Sequence, residues 1–307
     1  MLKYIFSKVS IMLVTLFIVV TLIFFIMKWL PGGPLNRDVK LPDNVIQLLE
    51  KKYKLDKPIM EQYTEYLKNM VKFDFGYSYR RQGQKVINII GGSLKYSLIV
   101  GGISFFSSFI IGILLTIISE MTNNRIIDKI IKSLSTLGIA IPNFVLAVIC
   151  LYIFGEKMQL VPVGDIDDWK SYILPVVVLS VYPISVIIKI FSISVKKSLS
   201  QTYISVLKRY GVCKRKIFFK YILKDSLFSV ITYMAPAVSS IFIGSFAIEK
   251  IFGIPGIGRV FIESIFARDY PVVFALTLLY TVIYLVAIFL SDICYAIVNP
   301  RISINNK

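Results

Sequence analysis

Six stretches of the sequence are almost wholly apolar, and polar segments separate them. Each stretch has about the 20 residues that an α-helix needs to cross the hydrocarbon core of a bilayer. Residues 29–34 lack the small-residue cleavage pattern of a signal peptide, so the first stretch is predicted to remain as a spanning helix. The pattern therefore predicts an all-α integral membrane protein with six transmembrane helices, covering residues 9–27, 97–119, 133–155, 172–195, 228–248 and 272–297.

The polar segment between the first and second stretches is the longest. Within it, apolar residues recur at helical spacing near residues 45–49 and again near residues 63–70, and Leu55-Asp56-Lys57-Pro58 separates the two. This pattern predicts a small helical insertion over residues 31–92.

The distribution of lysine and arginine predicts the orientation of the spans. The two termini and the second and fourth connecting segments hold 16 basic residues in 62 positions, whereas the alternating segments hold 16 in 101, mostly in the long first loop. Because long loops count least in the positive-inside rule, both termini are predicted to be cytoplasmic and the insertion extracytoplasmic. The predicted parts are residues 1–30 (N-terminus and first helix), 31–92 (insertion), 93–300 (five-helix core) and 301–307 (cytoplasmic tail).

Composition lowers the expectation for several classes of function. The chain has 56% hydrophobic residues and a net charge of +17, but its basic residues lie between apolar runs, so nucleic-acid binding is not expected. The chain has no histidine and three separated cysteines, and no metal site is predicted. It also has no phosphate-binding Gly-x₄-Gly-Lys-Ser/Thr motif, so it is predicted not to be an enzyme that hydrolyses ATP.

Residues 196–227, called the basic loop below, hold nine lysines and arginines. Gly211 divides the loop, because glycine adopts the left-handed conformation that ends a helix at little steric cost. A second helix is predicted from Lys214. The helical spacing predicts an amphipathic helix over residues 196–210 with an apolar face of Leu199, Tyr203, Val206 and Tyr210.

Two explanations of the basic loop are possible. A positively charged loop resting on anionic lipid would account for the charge alone. A pair of helices joined by a glycine turn is more structure than attraction to lipid needs, which favours a docking surface.

Motifs along nearly the whole chain support this second explanation. Ser205-Val206-Leu207 precedes Gly211 by the spacing of a Glu-Ala-Ala-x₃-Gly pattern but has none of its first three residues. Two other features match the motifs of one known family more closely. They are Tyr203, two residues before the loop pattern begins, and the run Glu249-Lys250-Ile251-Phe252-Gly253-Ile254-Pro255-Gly256-Ile257-Gly258-Arg259. Further matches are Leu30-Pro31-Gly32, Asp74-Phe75-Gly76-Tyr77-Ser78, Pro142-Asn143-Phe144, Ala267-Arg268-Asp269-Tyr270-Pro271, Asp292-x-x-Tyr295 and Asn299-Pro300-Arg301. Together they resemble the B-type permease subunit of oligopeptide, dipeptide and nickel ABC importers, a branch that also lacks the Glu of the loop pattern.

The resemblance implies a type I ABC importer permease fold in the cell (inner or plasma) membrane. The expected partners are a second, C-type permease subunit, two ATPase subunits, an extracytoplasmic solute-binding protein and membrane lipid. ATP and Mg²⁺ would be bound by the ATPase subunits, and no cofactor is expected in this chain. The residues expected to couple to an ATPase are Tyr203, Ser205, Val206, Leu207, Lys208, Arg209 and Gly211.

Three other sets of residues are candidates for function. Ile254, Pro255, Gly256, Gly258 and Arg259 form an outer gate or a contact for the binding protein, or else a plain turn in which Arg259 pairs with Glu263. Pro236, Ser239 and Ser240 line the pathway or only allow close helix packing. Asp292, the only acid in the predicted spans, is a functional group or, more favoured, a structural ion pair with the basic loop.

The predicted function is ATP-driven import of oligopeptides, dipeptides or peptide-like solutes by alternating access. Import of nickel or metallophore complexes, or of glutathione, would use the same fold. An ion-coupled secondary transporter is the rival from another class, and it would show an inverted repeat and a charge at the midplane of the membrane.

Overall fold

The computed structural model describes residues 2–29, 43–81 and 83–298, most of which are helical. Their only pairing of β type is an isolated bridge between Tyr77 and Lys85, so the all-α prediction is confirmed. The α-helices in the described ranges are α1 (Leu2–Trp29), α2 (Asp43–Lys52), α3 (Ile59–Val71), α4 (Val86–Met121), α5 (Arg125–Ala140), α6 (Asn143–Cys150), α7 (Ile173–Leu199), α8 (Thr202–Arg209), α9 (Lys214–Ile217), α10 (Leu223–Thr232), α11 (Met234–Ile251), α12 (Ile257–Phe266) and α13 (Tyr270–Val298). Short π-helical segments follow α6 (Leu151–Lys157) and α9 (Phe218–Ile222), and a 3₁₀ turn (Trp169–Tyr172) precedes α7.

Five of these helical segments are long and apolar enough to cross a membrane: α1, α4, α7 with its 3₁₀ turn, α11 and α13. A sixth crossing would need α5, α6 and the following π-helical segment together, and this pair is bent by 105°. The predicted span over residues 133–155 is therefore present as a bent pair of helices, and the count of six stays a prediction. Pro142 is the cause of the bend, because the residue before a proline avoids helical geometry, and Ile141 is extended with ψ 121°.

The predicted fifth span, residues 228–248, also contains a break. Helices α10 and α11 meet at Tyr233. Pro236 has no N–H to donate to the carbonyl of Thr232, four residues earlier, so the helical ladder is interrupted at this point. Pro236 therefore lies in the first turn of α11, where a missing backbone N–H costs little.

The described chain forms two compact units. The larger unit contains residues 97–254 and 284–298, and the smaller unit contains the described residues of 2–96 together with residues 255–283. In the larger unit α7 is central, because α5, α6, α10 and α11 all pack against it.

In the smaller unit two apolar clusters hold the helices together. The first turns of α4 pack against α12 and α13 through residues such as Val86, Ile257 and Leu276. The end of α1 packs against α3 and α13 through aromatic rings: the ring centroid of Phe24 lies 5.7 Å from that of Tyr66 and 5.8 Å from that of Phe274.

The two helices predicted within the insertion are present as α2 and α3, separated at residues 53–58 as expected. Leu30-Pro31-Gly32, Asn299-Pro300-Arg301 and the predicted tail 301–307 lie outside the described residues.

Candidate functional site

Gly211 closes the first helix of the basic loop as predicted. Its φ is +72°, in the left-handed region. The N–H of Gly211 donates to the carbonyl of Lys208, and the N–H of Val212 donates to that of Leu207, both over 3.1 Å. These two bonds define a Schellman turn, which satisfies the last carbonyls of α8.

The helix before this turn has one buried side and one exposed side. Ile204 is 0% exposed, and it lies in a cluster with Phe191 and Ile217. Leu207 packs against the same cluster. On the other side Tyr203 and Val206 are partly exposed and Tyr210 is 82% exposed. The buried side fixes α8 to the helices of the larger unit, and the exposed side presents aromatic and apolar groups.

This arrangement corrects the predicted amphipathic helix. The chain over residues 196–210 is not one helix, because α7 ends at Leu199 and Gln201 is extended with ψ 142° before α8 begins. Of the predicted apolar face, Tyr203, Val206 and Tyr210 are exposed, whereas Leu199 packs against the buried cluster. The contact with the protein core is made by Ile204, which is not among the predicted residues.

The second helix of the basic loop begins at Lys214 as predicted, and Ile217, Phe218 and Ile222 on its apolar face are buried. Tyr203 connects α8 to α10, since its hydroxyl donates to Oδ2 of Asp225 over 3.1 Å. Partial desolvation, followed by the bond to Asp225, raises the pKa of Tyr203 above its usual value. Of the predicted coupling residues, Ser205, Lys208 and Arg209 also lie in α8.

The residues of the predicted outer gate lie between α11 and α12 and in the first turn of α12. The residue with a positive φ is Gly253 (+73°), whereas Gly256 has φ −83° and precedes α12. The N–H of Ile254 donates to the carbonyl of Glu249 over 2.8 Å, which closes α11. Ile254 belongs to the larger unit, whereas Pro255, Gly256, Gly258 and Arg259 belong to the smaller unit.

Arg259 forms the predicted i, i+4 ion pair, with Nε 2.8 Å from Oε1 of Glu263. Nη2 of Arg81, from the segment before α4, lies 3.6 Å from Oε2 of the same carboxylate.

Asp269 is a structural centre of the smaller unit that the sequence argument did not identify. It is 2% exposed. Its carboxylate accepts hydrogen bonds from the hydroxyl of Ser78 and from the backbone N–H of Tyr79 (2.9 Å) and Arg80 (3.4 Å). The signal was present in the sequence, because Ser78 and Asp269 belong to two of the quoted motifs, but nothing in the sequence showed that the motifs meet.

The predicted pathway residues lie in α11, where Pro236 is exposed and Ser239 and Ser240 are half-buried. Both serine hydroxyls donate to carbonyls of their own helix, at 3.2 and 3.0 Å. Asp292 is half-buried on α13, and its ion pair with the basic loop stays a prediction. Asp292 is not the only acid in the span-length helices, because α11 extends beyond the predicted span to Ile251 and includes Glu249. Glu249 is fully buried and accepts a 2.6 Å hydrogen bond from the hydroxyl of Ser97.

Comparisons with known proteins agree with this architecture. Residues 108–304 match the family described as binding-protein-dependent transport system inner membrane component, and residues 1–101 match its N-terminal family. The chain is 36% identical over all of its 307 residues to the dipeptide transport system permease protein DppB of Bacillus subtilis (strain 168), covering 100% of both chains. It is 34% identical to the oligopeptide transport system permease protein OppB of Escherichia coli (strain K12), covering 98% of this chain and 99% of that one.

A solved structure of the MetNI methionine ABC transporter in an inward-facing conformation has the same fold. The TM-score is 0.50 at 13% identity, covering 70% of this chain and 96% of the MetNI chain. The predicted type I ABC importer permease fold is therefore confirmed. The chain belongs to the family of inner membrane components of binding-protein-dependent transport systems.

Proposed function

We propose that this chain is one of two permease subunits of an ATP-driven importer for dipeptides, oligopeptides or peptide-like solutes. The named dipeptide and oligopeptide permeases support the solute class, because they match the chain over its full length. The observation that carries the proposal is the two-sided helix α8, buried at Ile204 and uncovered at Tyr210.

In this proposal an ATPase subunit binds the exposed side of α8. Tyr203, Val206 and Tyr210 supply apolar contacts, and Lys208 and Arg209 meet acidic or carbonyl groups. Ile204 and Leu207 transmit the movement, since they share a cluster with side chains of α7 and α10. Closure of the two ATPases on ATP and Mg²⁺ then changes which side of the membrane the pathway faces. This chain needs no cofactor of its own for that role.

The other partners follow from the same assignment. A C-type permease subunit completes the pathway, and an extracytoplasmic binding protein delivers the solute to the surface that includes residues 254–259. The orientation that fits this arrangement has both termini and the basic loop in the cytoplasm and the insertion of residues 31–92 outside. Membrane lipid surrounds the spans, and nucleic acid has no part in the mechanism.

Co-purification tests the docking of the ATPase. The transporter is purified through this chain as wild type, Tyr210→Asp and Phe266→Asp. Tyr210 and Phe266 have nearly equal exposure, 82% and 81%, so Phe266→Asp is a matched aromatic-to-acid control on α12. We expect Tyr210→Asp to lose the ATPase and keep the C-type subunit, and Phe266→Asp to keep both.

Two results would contradict the proposal. If no ATPase accompanies the wild-type chain in mild detergent, the importer assignment fails. If Tyr210→Asp retains as much ATPase as wild type, α8 is not the docking surface. Uptake of labelled dipeptide, compared with Ni²⁺ and glutathione, by proteoliposomes containing the complete transporter and its binding protein then determines the solute.

A further inference from the structure

Lys189 is a charged residue inside an otherwise uncharged helix. Between Ile173 and Val195 it is the only ionisable charged side chain of α7. At 1.5 Å per residue, about 10 Å of helix separates it from Lys196, where the basic end of α7 begins. An ionisable residue at this depth of a membrane helix is costly and is by default a candidate for function.

Lys189 lies on the side of α7 that the larger unit leaves uncovered, one turn before Ile193, which is 60% exposed. Half of the apolar window of α7 is buried, more than for any other span-length helix in the described ranges. Ile187, Ile188 and Phe191, which surround Lys189 in the sequence, are all buried. Lys189 itself is exposed. The central helix of the unit therefore presents an amine on its one open side.

Lipid cannot be the neighbour of this amine at low cost. The Cα–Cβ bonds of an α-helix tilt toward its N-terminus, so the side chain of Lys189 is directed away from Lys196 and the nearer end of the helix. To place its charged group in water at the nearer end of α7, the side chain of Lys189 would have to turn back against this direction. Within the described residues, none of the ion pairs includes Lys189.

A water-filled pathway satisfies the amine better than a buried ion pair with another subunit. The lysine ammonium is strongly hydrated, and enclosing an ion pair in an apolar interface carries a large desolvation cost. An ammonium beside water in the membrane is a ready partner for a carboxylate, because the resulting hydrogen bond has charge on both sides.

We infer that Lys189 lines the solute pathway and binds a carboxylate of the passing solute. The carboxylate role rests on the proposed import of peptides, each of which carries a free C-terminal carboxylate. The position in the pathway does not depend on which solute is carried, so the two parts are tested by separate measurements.

Thiol labelling tests the position. Cys150, Cys213 and Cys294 are first replaced by serine, and Lys189→Cys or Leu114→Cys is then introduced into the complete transporter in membranes. Leu114 is the matched control: it is 53% exposed on α4 and lies six residues before Glu120, as Lys189 lies seven before Lys196. Its neighbours one turn away on both sides, Ile110 and Ile118, are apolar and exposed, as expected of a face covered by lipid, whereas the neighbour one turn before Lys189, Ser185, is buried.

The reagent is the water-soluble anion methanethiosulfonate ethylsulfonate. We expect Lys189→Cys to react at least about tenfold faster than Leu114→Cys, because a thiol reacts as the thiolate and needs water around it. A cysteine cannot snorkel, so the reaction reports water at that depth. If Lys189→Cys reacts no faster than Leu114→Cys, the residue faces lipid or protein and the inference is overturned.

Uptake tests the carboxylate. Wild type, Lys189→Met and Lys189→Arg are compared with a labelled tripeptide and with its C-terminal amide. We expect Lys189→Met to lower tripeptide uptake about tenfold and amide uptake less than about twofold, and Lys189→Arg to restore tripeptide uptake. An equal loss for peptide and amide, or no loss, overturns the carboxylate role. If the wild-type transporter imports neither solute, the peptide assignment fails and the carboxylate role fails with it, while the labelling rate still decides the position of Lys189.

Discussion

The turns that end α8 and α12 have the same backbone hydrogen bonds but hold different structures in place. After α12 the N–H of Arg268 donates to the carbonyl of Ile265 over 3.1 Å, and the N–H of Asp269 donates to that of Ser264 over 2.9 Å. This is the Schellman pattern of the turn after α8. The left-handed residue is Gly211 in one turn and Arg268, with φ +54°, in the other.

The difference shows how each turn is stabilised. Asp269 follows the left-handed residue and is held by Ser78 and two backbone N–H groups of a distant segment. External hydrogen bonds can therefore keep an arginine in a conformation that costs most residues about 1–2 kcal/mol. The corresponding residue after α8 is Val212, which packs among apolar side chains. There a glycine lets the turn form without polar support, and the side of α8 with Tyr210 remains exposed.

Removing the polar support is expected to have the largest effect. Asp269→Ala leaves the hydroxyl of Ser78 and the N–H of Tyr79 without their acceptor in a buried place, so we expect a loss of about 4 kcal/mol of unfolding free energy. The loss of stability is measured as a decrease in the melting temperature of the purified transporter, detected by size-exclusion chromatography of heated samples. Asp269→Asn is the control, because its amide oxygen keeps one acceptor and should cost clearly less. Equal losses for the two variants would show that the hydrogen bonds are not what stabilises this turn.

The buried side of α8 gives the next largest effect. Ile204→Ala removes fully buried methyl groups and should cost about 3 kcal/mol, whereas Val206→Ala on the exposed side should cost less than about 0.5 kcal/mol. The same heating assay compares them. Similar melting temperatures for both variants would mean that α8 is not anchored through Ile204.

These particular residues show what the sequence could predict. The apolar stretches and the helix ended by Gly211 could be read directly, because span length and left-handed glycine are local properties. The bend at Pro142 could have been expected, but its angle depends on packing. The contact of Ser78 with Asp269 joins positions 191 residues apart, and no local pattern specifies such a pairing. The spacing of Tyr203, Val206 and Tyr210 predicted an apolar face on α8, but spacing alone does not show that Ile204 is the residue that contacts the core.

A smaller effect is expected at Gly211 itself. A Cβ added at Gly211 would meet no atom within 4 Å, so Gly211→Ala changes only the backbone preference and should cost about 1 kcal/mol. Gly211→Asn should recover part of this loss, since asparagine tolerates the left-handed conformation better. We expect both variants to lower the melting temperature, Gly211→Ala more than Gly211→Asn. We also expect both to retain less ATPase than wild type in the co-purification assay. A loss with asparagine as large as that with alanine would point to a contact of the turn rather than to its φ angle.

Arg268→Gly makes the opposite substitution at the corresponding position of the turn after α12, and it has the smallest expected effect. Glycine removes the left-handed strain of about 1–2 kcal/mol, but it also gives the unfolded chain more freedom, which cancels about 0.5–1 kcal/mol of the gain. The variant should therefore be more stable than wild type by about 0.5 kcal/mol. In the Asp269→Ala background the gain should shrink, because a turn without its polar support can relax away from the strained angle and leaves glycine less strain to remove. An undiminished gain in that background would mean that the backbone after α12 holds Arg268 in place by itself, and that the two turns differ less than their side chains suggest.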